Sequence, residues 1–215
     1  MPTATSSGDS SSSPVAGSWC SVSGVEDGPA APVLRSERLL LEPLKVGHAE
    51  EMAPLLADPG LYAFTGASPV TLDELRRRYE RQVRGHSEDG HQRWLNWIVR
   101  LEQTGAPVGA VQATMTAHSD GLAADLAWLI AVPHQRRGYA TEAATVLARW
   151  LREQGAQVLA ANIHPRHEAS MHVARALGMT PTDEVIDGEI RWATAPTQSR
   201  HGASFGAESR SCRKP

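Results

Sequence analysis

The feature that most constrains the fold is the stretch 128–142, in which an apolar run leads through a basic turn into a helical pattern. The apolar run, residues 126–132, ends at Pro133, and the turn that follows contains Gly138. The first backbone N–H groups of a helix have no partners inside the helix and lie at the positive end of its dipole. A strand, a basic turn with glycine and a helix N-terminus in this order therefore predict an anion-binding site.

The remaining apolar patterns predict an α+β domain in which strands and helices are mixed. Because three strands follow one another in the middle of the chain, the order favours a mixed, mostly antiparallel sheet flanked by helices over a doubly wound parallel sheet. No G-x-G-x-x-G motif follows the first strand and no Walker A motif occurs, which disfavours both nucleotide-binding folds. The predicted strands are 38–44, 94–101, 108–115, 122–132, 157–163 and 189–193, with a further short strand around 179–185; the predicted helices are 49–56, 71–83, 136–154 and 168–177.

Composition separates a central domain, residues 34–194, from two polar ends. Residues 1–33 and 195–215 are rich in small and polar residues and are predicted to be a disordered leader and a flexible tail. The formal net charge of −3 gives no basic field for nucleic acid. No apolar run approaches the roughly 20 residues that span a bilayer, and no signal peptide is visible. Both cysteines, Cys20 and Cys212, lie in the polar ends, so a reduced protein in the cytoplasm is expected.

The central turn carries a resemblance to a known family. Its sequence, Gln-Arg-Arg-Gly-Tyr-Ala at 135–140, resembles the Gln/Arg-x-x-Gly-x-Gly/Ala signature of the GNAT superfamily of N-acetyltransferases. The segments 164–170 and 176–179 resemble the second cofactor segment of that superfamily. The opening strand and the Asp58-Pro59 helix end are similar to those of its RimJ/RimL-like branch. Together these similarities cover about residues 34–193.

The resemblance implies acetyl-CoA as the cofactor and a GNAT-like sheet with a splayed pair of parallel strands at the cofactor site. The pyrophosphate would lie on the N–H groups of residues 137–141, where Gly138 has no Cβ to hold a phosphate away. The preceding strand would offer backbone groups to the pantetheine arm. The implied cofactor contacts are Leu129, Ile130, Ala131, Val132, Gln135, Arg136, Arg137, Gly138, Tyr139, Ala140, Thr141, His167 and Ser170.

Three side chains are candidates for catalysis of acetyl transfer to an amine. An alkylammonium has a pKa near 10.4, so a base or a desolvating site is needed to provide the neutral amine at pH 7. By resemblance, Ser170 would lie near the thioester sulfur and donate a proton to the departing thiolate; the alternative is a helix serine bonded to its own backbone. His167 would contact the pantetheine or act as a base. Glu184 has the spacing of a catalytic glutamate in the RimL-like branch, and is alternatively a surface carboxylate beside Asp183.

The acceptor site is predicted from aromatic residues, with Tyr62, Phe64 and Trp97 as candidate contacts. Strand alternation places Trp97 on the face opposite Trp94, so at least one of the two belongs to the core. The acceptor is an amine, either a peptide or protein N-terminus or a small molecule. A homodimer is compatible with the sequence.

A metal site and a non-catalytic role are the two alternatives to an acetyl-CoA-dependent enzyme without a metal. His164, His167 and His172 suggest a metal site, but a strand end, a helix start and a helix interior should point them in different directions, so no metal is predicted. A non-catalytic CoA-binding sensor or interaction module is the alternative to an enzyme.

Overall fold

The computed structural model of this chain describes residues 30–64, 66–119 and 121–196. Most of the predicted leader, nearly all of the predicted tail and both cysteines lie outside these ranges. The described elements are β1 (Leu34–Arg35), β2 (Leu39–Pro43), α1 (Ala49–Leu56), α2 (Leu72–Gln82), β3 (Gln92–Leu101), β4 (Pro107–His118), β5 (Gly121–Ile130), α3 (Tyr139–Glu153), β6 (Ala156–Ile163), α4 (Glu168–Ala176), β7 (Thr180–Ile186) and β8 (Glu189–Ala193). All predicted elements are present, including the short strand near 179–185, and the two-residue β1 is the one described strand that the sequence did not predict.

The strands form one eight-stranded sheet in the order β1-β2-β3-β4-β5-β6-β8-β7. Every neighbouring pair is antiparallel except β5 and β6, which run parallel. The helix α3 connects these two parallel strands, as a crossover between parallel neighbours requires. The sheet confirms the predicted mixed and mostly antiparallel architecture.

The parallel pair separates after a short distance. Residues 122–125 of β5 pair with residues 156–160 of β6, and no pair follows Asp125 and Ala160. The rest of β6 pairs instead with β8, from Ala160 with Ala193 to Ile163 with Ile190. The last five residues of β5 therefore have a neighbour on one side only. This confirms the predicted splayed pair of strands.

Helices cover both faces of the sheet. Helices α1 and α2 pack around Ile98 on one face, while α3 packs on the other face over a larger cluster that includes Trp97 and Leu147. Trp97 has no exposed surface, its ring meets Trp150 edge-on at 5.7 Å, and its indole N–H donates to the Pro32 carbonyl at 2.7 Å. The packed domain therefore includes chain that precedes residue 34. Among the described helices, none has both the length and the apolar character needed to cross a bilayer.

Candidate functional site

A cleft of about 1000 Å³ opens where β5 and β6 separate. Residues 126–130 of β5 form one wall, and residues 161–163 of β6 with the following His164 form the other. The N-terminal turns of α3 and α4 close its two ends. Since the strands on either side are joined by only a few residue pairs, the cleft is a direct product of the fold.

The turn before α3 presents unpaired backbone donors to this cleft. Arg136 has φ of +60° and Gly138 has φ of +80°, so the chain cannot be helical there and α3 begins at Tyr139, three residues later than predicted. The first helical bond runs from Glu142 N–H to the Gly138 carbonyl at 3.0 Å. Within the described chain, the N–H groups of residues 136–141 donate to no backbone oxygen. Alternating left-handed residues and free helix N–H groups form a concave binding site for an anion.

Ser36 and Arg38, which lie between β1 and β2, form a clamp with Glu142 that holds this turn. The Glu142 carboxylate accepts hydrogen bonds from Ser36 Oγ at 2.7 Å and from Arg38 Nε at 2.7 Å. The Arg38 guanidinium also donates to the Arg137 carbonyl at 3.2 Å and lies 4.9 Å from the centre of the Tyr139 ring. Burial alone would raise the pKa of Glu142, but the hydrogen bonds from Ser36 and Arg38 outweigh burial and hold this pKa below its ordinary value. Arg38 was not among the predicted site residues.

The backbone groups that β5 directs into the cleft differ from the predicted ones at residues 129–132. Ala131 N–H donates to the Val108 carbonyl at 2.9 Å, so Ala131 and Leu129 direct their backbone groups to β4. By alternation, the backbone groups of Trp128 and Ile130 point to the cleft, and the Ile130 carbonyl accepts from Gln135 Nε2 at 2.9 Å. The prediction for the backbone of residues 129–132 is therefore corrected to Trp128 and Ile130.

The side chains of most of the predicted cofactor contacts line the cleft, but three do not. Those of Ala131, Val132 and Arg137 do not line the cleft, and Val132 is 38% exposed on the outer surface. The predicted contacts that do line the cleft are Leu129, Ile130, Gln135, Arg136, Gly138, Tyr139, Ala140, Thr141, His167 and Ser170.

Ser170 is held with its hydroxyl proton available. Its Oγ accepts a hydrogen bond from Trp128 Nε1 at 3.2 Å, and within the described residues this hydroxyl donates to no partner. The alternative in which Ser170 bonds its own helix backbone is thus not seen. A hydroxyl has one proton to donate, and here the indole donor leaves that proton free for a group in the cleft. Trp128 was missed as a site residue because its N–H partner is 42 residues away.

His167 caps the helix that carries Ser170. Its Nδ1 accepts from Ser170 N–H at 3.1 Å, and its ring lies 4.3 Å from the Phe64 ring. A neutral imidazole with Nδ1 as acceptor carries its proton on Nε2, so this side chain presents a donor rather than a base to the cleft. The geometry favours the contact role for His167 over the base role.

The three histidines that suggested a metal site all lie along the cleft, but they do not form a metal-binding group among the described residues. His164, His167 and His172 all line it, and the Phe64 ring contacts both His164, at 5.6 Å, and His167. Among the described residues, no three His, Cys, Asp or Glu side chains form a group that could hold a metal ion.

The carboxylates at the cleft differ from the predicted one. Glu184 lies on β7 outside the cleft, with a side chain that is 58% exposed and a contact to Arg191 at 3.5 Å. Arg191 in turn contacts Asp125 at 2.7 Å. Glu189, the first residue of β8, lines the cleft and has no ion pair or hydrogen bond from its side chain in the described chain. The glutamate of this hairpin that lines the cleft is therefore Glu189, whereas the sequence spacing predicts Glu184 as the catalytic glutamate.

Only one of the three predicted acceptor contacts lines the cleft. Phe64 does so, whereas the Tyr62 hydroxyl donates to the Leu56 carbonyl at 2.8 Å and lies outside the cleft. The assignment of Trp97 is corrected, because a side chain with no exposed surface cannot contact an acceptor.

A splayed parallel pair, an anion-binding turn between its strands and a hydroxyl on the far wall define the class of acyl-CoA-dependent N-acetyltransferases. Residues 38–180 match the acetyltransferase (GNAT) domain, and the chain belongs to this family. No curated protein matches the chain.

Solved structures of the same fold are similar to this chain over most of its length. A GNAT-family acetyltransferase from Bacillus anthracis is 17% identical, with a TM-score of 0.61 over 76% of this chain and 98% of that one. RimL, a ribosomal L7/L12 alpha-N-protein acetyltransferase solved with coenzyme A, is 14% identical, with a TM-score of 0.60 over 77% of this chain and 98% of that one. The microcin C7 self-immunity acetyltransferase MccE, solved with acetyl-CoA and AMP, is 13% identical, with a TM-score of 0.60 over 74% of this chain and 93% of that one.

Proposed function

We propose that this chain transfers the acetyl group of acetyl-CoA directly to a primary amine while both substrates are bound. The observation that carries the proposal is the row of unpaired N–H groups at residues 136–141, which opens into the same cleft as the free hydroxyl proton of Ser170. An anion site and a proton donor on facing walls of one cleft suit a substrate that has a phosphate end and a thioester end. General acetyl transfer is also the activity of the family.

The described residues fit acetyl-CoA at both ends. The N–H groups of residues 136–141 and the Arg136 side chain would hold its pyrophosphate, and the backbone of Trp128 and Ile130 would pair with its amide groups. A Cβ at Gly138 would meet no protein atom closer than 3.5 Å, so the space in front of this residue is open to a phosphate. When bound, acetyl-CoA supplies the activated acetyl thioester.

Ser170 and Glu189 divide the proton chemistry in this proposal. The Ser170 hydroxyl can donate a hydrogen bond to a departing thiolate, because Trp128 bonds to its oxygen as a donor and leaves its proton available. Glu189 is an unpaired carboxylate at the cleft that can bind an alkylammonium and accept its proton, directly or through water. Holding an alkylammonium neutral at pH 7 costs roughly 4–5 kcal/mol, so a base or a desolvating site is needed, and Glu189 can serve as the base.

The acceptor is a primary amine in either of two forms, a peptide or protein N-terminus or a small molecule. The similarity to RimL favours a peptide or protein N-terminus as the acceptor, whereas the similarity to MccE retains a small molecule as the second candidate. A panel of peptides and small amines, assayed for acetyl-CoA-dependent product by mass spectrometry, distinguishes the two. Acetyl-CoA binding with no product from any acceptor would instead identify a sensor.

The central test is the Ser170→Ala variant, which removes the proton donor and keeps the cleft. We expect the rate of acetyl transfer in single turnovers to fall roughly 10²-fold or more, while the dissociation constant for acetyl-CoA stays within a few-fold. Thr145→Val, which removes an α3 hydroxyl bonded only to the Thr141 carbonyl, is the control. An unchanged transfer rate in Ser170→Ala would contradict the assigned role of Ser170.

A further inference from the structure

A second cavity, of about 330 Å³, lies where β3 begins. It is enclosed by the first described residues, Ala30 and Ala31, by the end of β2, and by the segment 82–86 at the end of α2. It shares no lining residue with the acetyl-transfer cleft. Its size is at the lower end of the range found for small-molecule sites.

Arg93 places a buried positive charge beside this cavity. The residue is only 7% exposed, and its fully buried Nη2 atom has no hydrogen-bond partner among the described residues. In the described part of the chain, no carboxylate pairs with its guanidinium, whereas Arg100 and Arg191 are each paired with two. Burial lowers the pKa of Arg93, and no described acid offsets this effect. A guanidinium keeps its charge at neutral pH, so an unpaired one at this depth is strongly unfavourable.

The rest of the lining has the character of an anion site. Arg84 and His86 add basic groups, and Gln82 and Asn96 add amides that can donate hydrogen bonds. No Asp or Glu is among the residues that line this cavity in the described chain. The lining thus contains positive charge and donors with no acid to balance them.

We propose that this cavity binds a carboxylate group that pairs with Arg93. A carboxylate matches the planar fork of a guanidinium with two parallel hydrogen bonds. The single negative charge of a carboxylate neutralises the charge of the buried Arg93, whereas Arg84, the other arginine of the lining, is exposed to solvent. The cavity volume exceeds that of a carboxylate alone, so the group belongs to a larger molecule or to a peptide segment.

Two sources can supply this carboxylate. One is a free small organic acid. The other is the chain itself, because Glu26 and Asp27 come only four and three residues before Ala30, outside the described ranges. At about 3.3–3.6 Å per residue, four residues of extended chain cover roughly 14 Å, which is enough to bring either carboxylate to the cavity.

Thermal unfolding of the full chain distinguishes these sources. Sodium propionate is the probe, and sodium chloride at equal ionic strength is the reference. The variant is Arg93→Met, and its control is Arg77→Met, which changes an exposed arginine away from the cavity. If the source is a free acid, saturating propionate raises the Tm of the wild type and of Arg77→Met by about 2–4 °C and leaves that of Arg93→Met unchanged.

If the source is the chain itself, the wild type does not respond to propionate. The double substitution Glu26→Gln with Asp27→Asn then lowers the Tm of the wild type, leaves that of Arg93→Met unchanged, and makes the chain responsive to propionate. Either pattern supports the site.

The proposal is overturned if neither propionate nor the double substitution has an effect that depends on Arg93. If Arg93→Met does not fold, NMR of the Arg93 Nε–Hε group in the wild type replaces the comparison with this variant. The proposal then requires that this resonance shifts on addition of propionate or on the double substitution. Acetyl-CoA affinity is expected to be unchanged in Arg93→Met, so this test is independent of the proposed acetyl transfer.

Discussion

At the scale of single residues, Ser170 shows what a sequence can and cannot reveal about a site. Resemblance to a family motif selected Ser170 and His167, and both line the cleft. Two interactions decide which protons these side chains can donate. The bond from Trp128 to Ser170 joins residues that are far apart in the chain, and the cap of α4 by His167 depends on the orientation of the imidazole ring. Glu189 was missed for the same reason, because only the fold shows which glutamate of the β7–β8 hairpin reaches the cleft.

The two glutamates of this hairpin provide a matched pair of variants. We expect Glu189→Gln to lower kcat for amine acetylation roughly 10²-fold or more, because the variant keeps the shape of the side chain and removes the base. Glu184→Gln changes an exposed side chain whose only described ion pair is with Arg191, so its kcat should match that of the wild type. Loss of activity in Glu184→Gln, with Glu189→Gln unaffected, would show that the sequence-based choice was right.

At the scale of elements, the anion-binding turn depends on a contact from the other end of the domain. The helix pattern and the basic turn predicted the start of α3 to within three residues. The exact start depends on the left-handed residues Arg136 and Gly138, and a non-glycine residue in that conformation is uncommon and costs energy. Neither the conformation of Arg136 nor the Arg38–Glu142 contact, 104 residues apart, has a signature in local periodicity.

The Glu142→Gln variant tests the clamp. The folded-state pKa of Glu142 is held below its ordinary value, so its stabilising effect is present above pH 4.5 and is lost as the pH falls through the folded-state pKa. Because Arg38 is half exposed, we expect a loss of only about 1 kcal/mol in unfolding free energy at pH 7. Urea unfolding at pH 7 and at pH 3 measures this difference, which should shrink at the lower pH. A pH-independent difference would show that the carboxylate charge is not what holds the turn.

At the scale of the whole molecule, the order of elements was predictable and the order of strands in the sheet was not. Periodicity identifies each strand, but it does not show that β8 lies between β6 and β7. The splay of β5 and β6 was inferred from the family resemblance rather than from the residues themselves. Long-range charge pairs were also beyond prediction, as in the cluster where Glu42 contacts Arg100 and Lys45, each at 2.7 Å.

This cluster makes acid stability a property of the whole domain. Hydrogen bonds from Lys45 and Arg100 lower the pKa of Glu42 to about 2. A lowered folded-state pKa stabilises the protein above pH 4.5, and this effect disappears as the pH falls from about 4.5 to 2.

We therefore expect Glu42→Gln to destabilise the chain by about 1–3 kcal/mol at pH 7, and by much less near pH 2. Denaturant unfolding across this pH range measures the change, with Glu80→Gln, on the exposed side of α2, as the control. Equal effects of the two substitutions at pH 7 would contradict the assigned role of Glu42.

The short pairing between β5 and β6 has a mechanical consequence. The sheet is a five-stranded half and a three-stranded half, joined by the pairs between residues 122–125 and 156–160. The contact from Arg191 to Asp125 crosses β6 at the end of this joint. A rotation of a few degrees at this joint would change the width of the cleft without breaking a strand pair in either half. A ligand that bonds to both walls would fix this width.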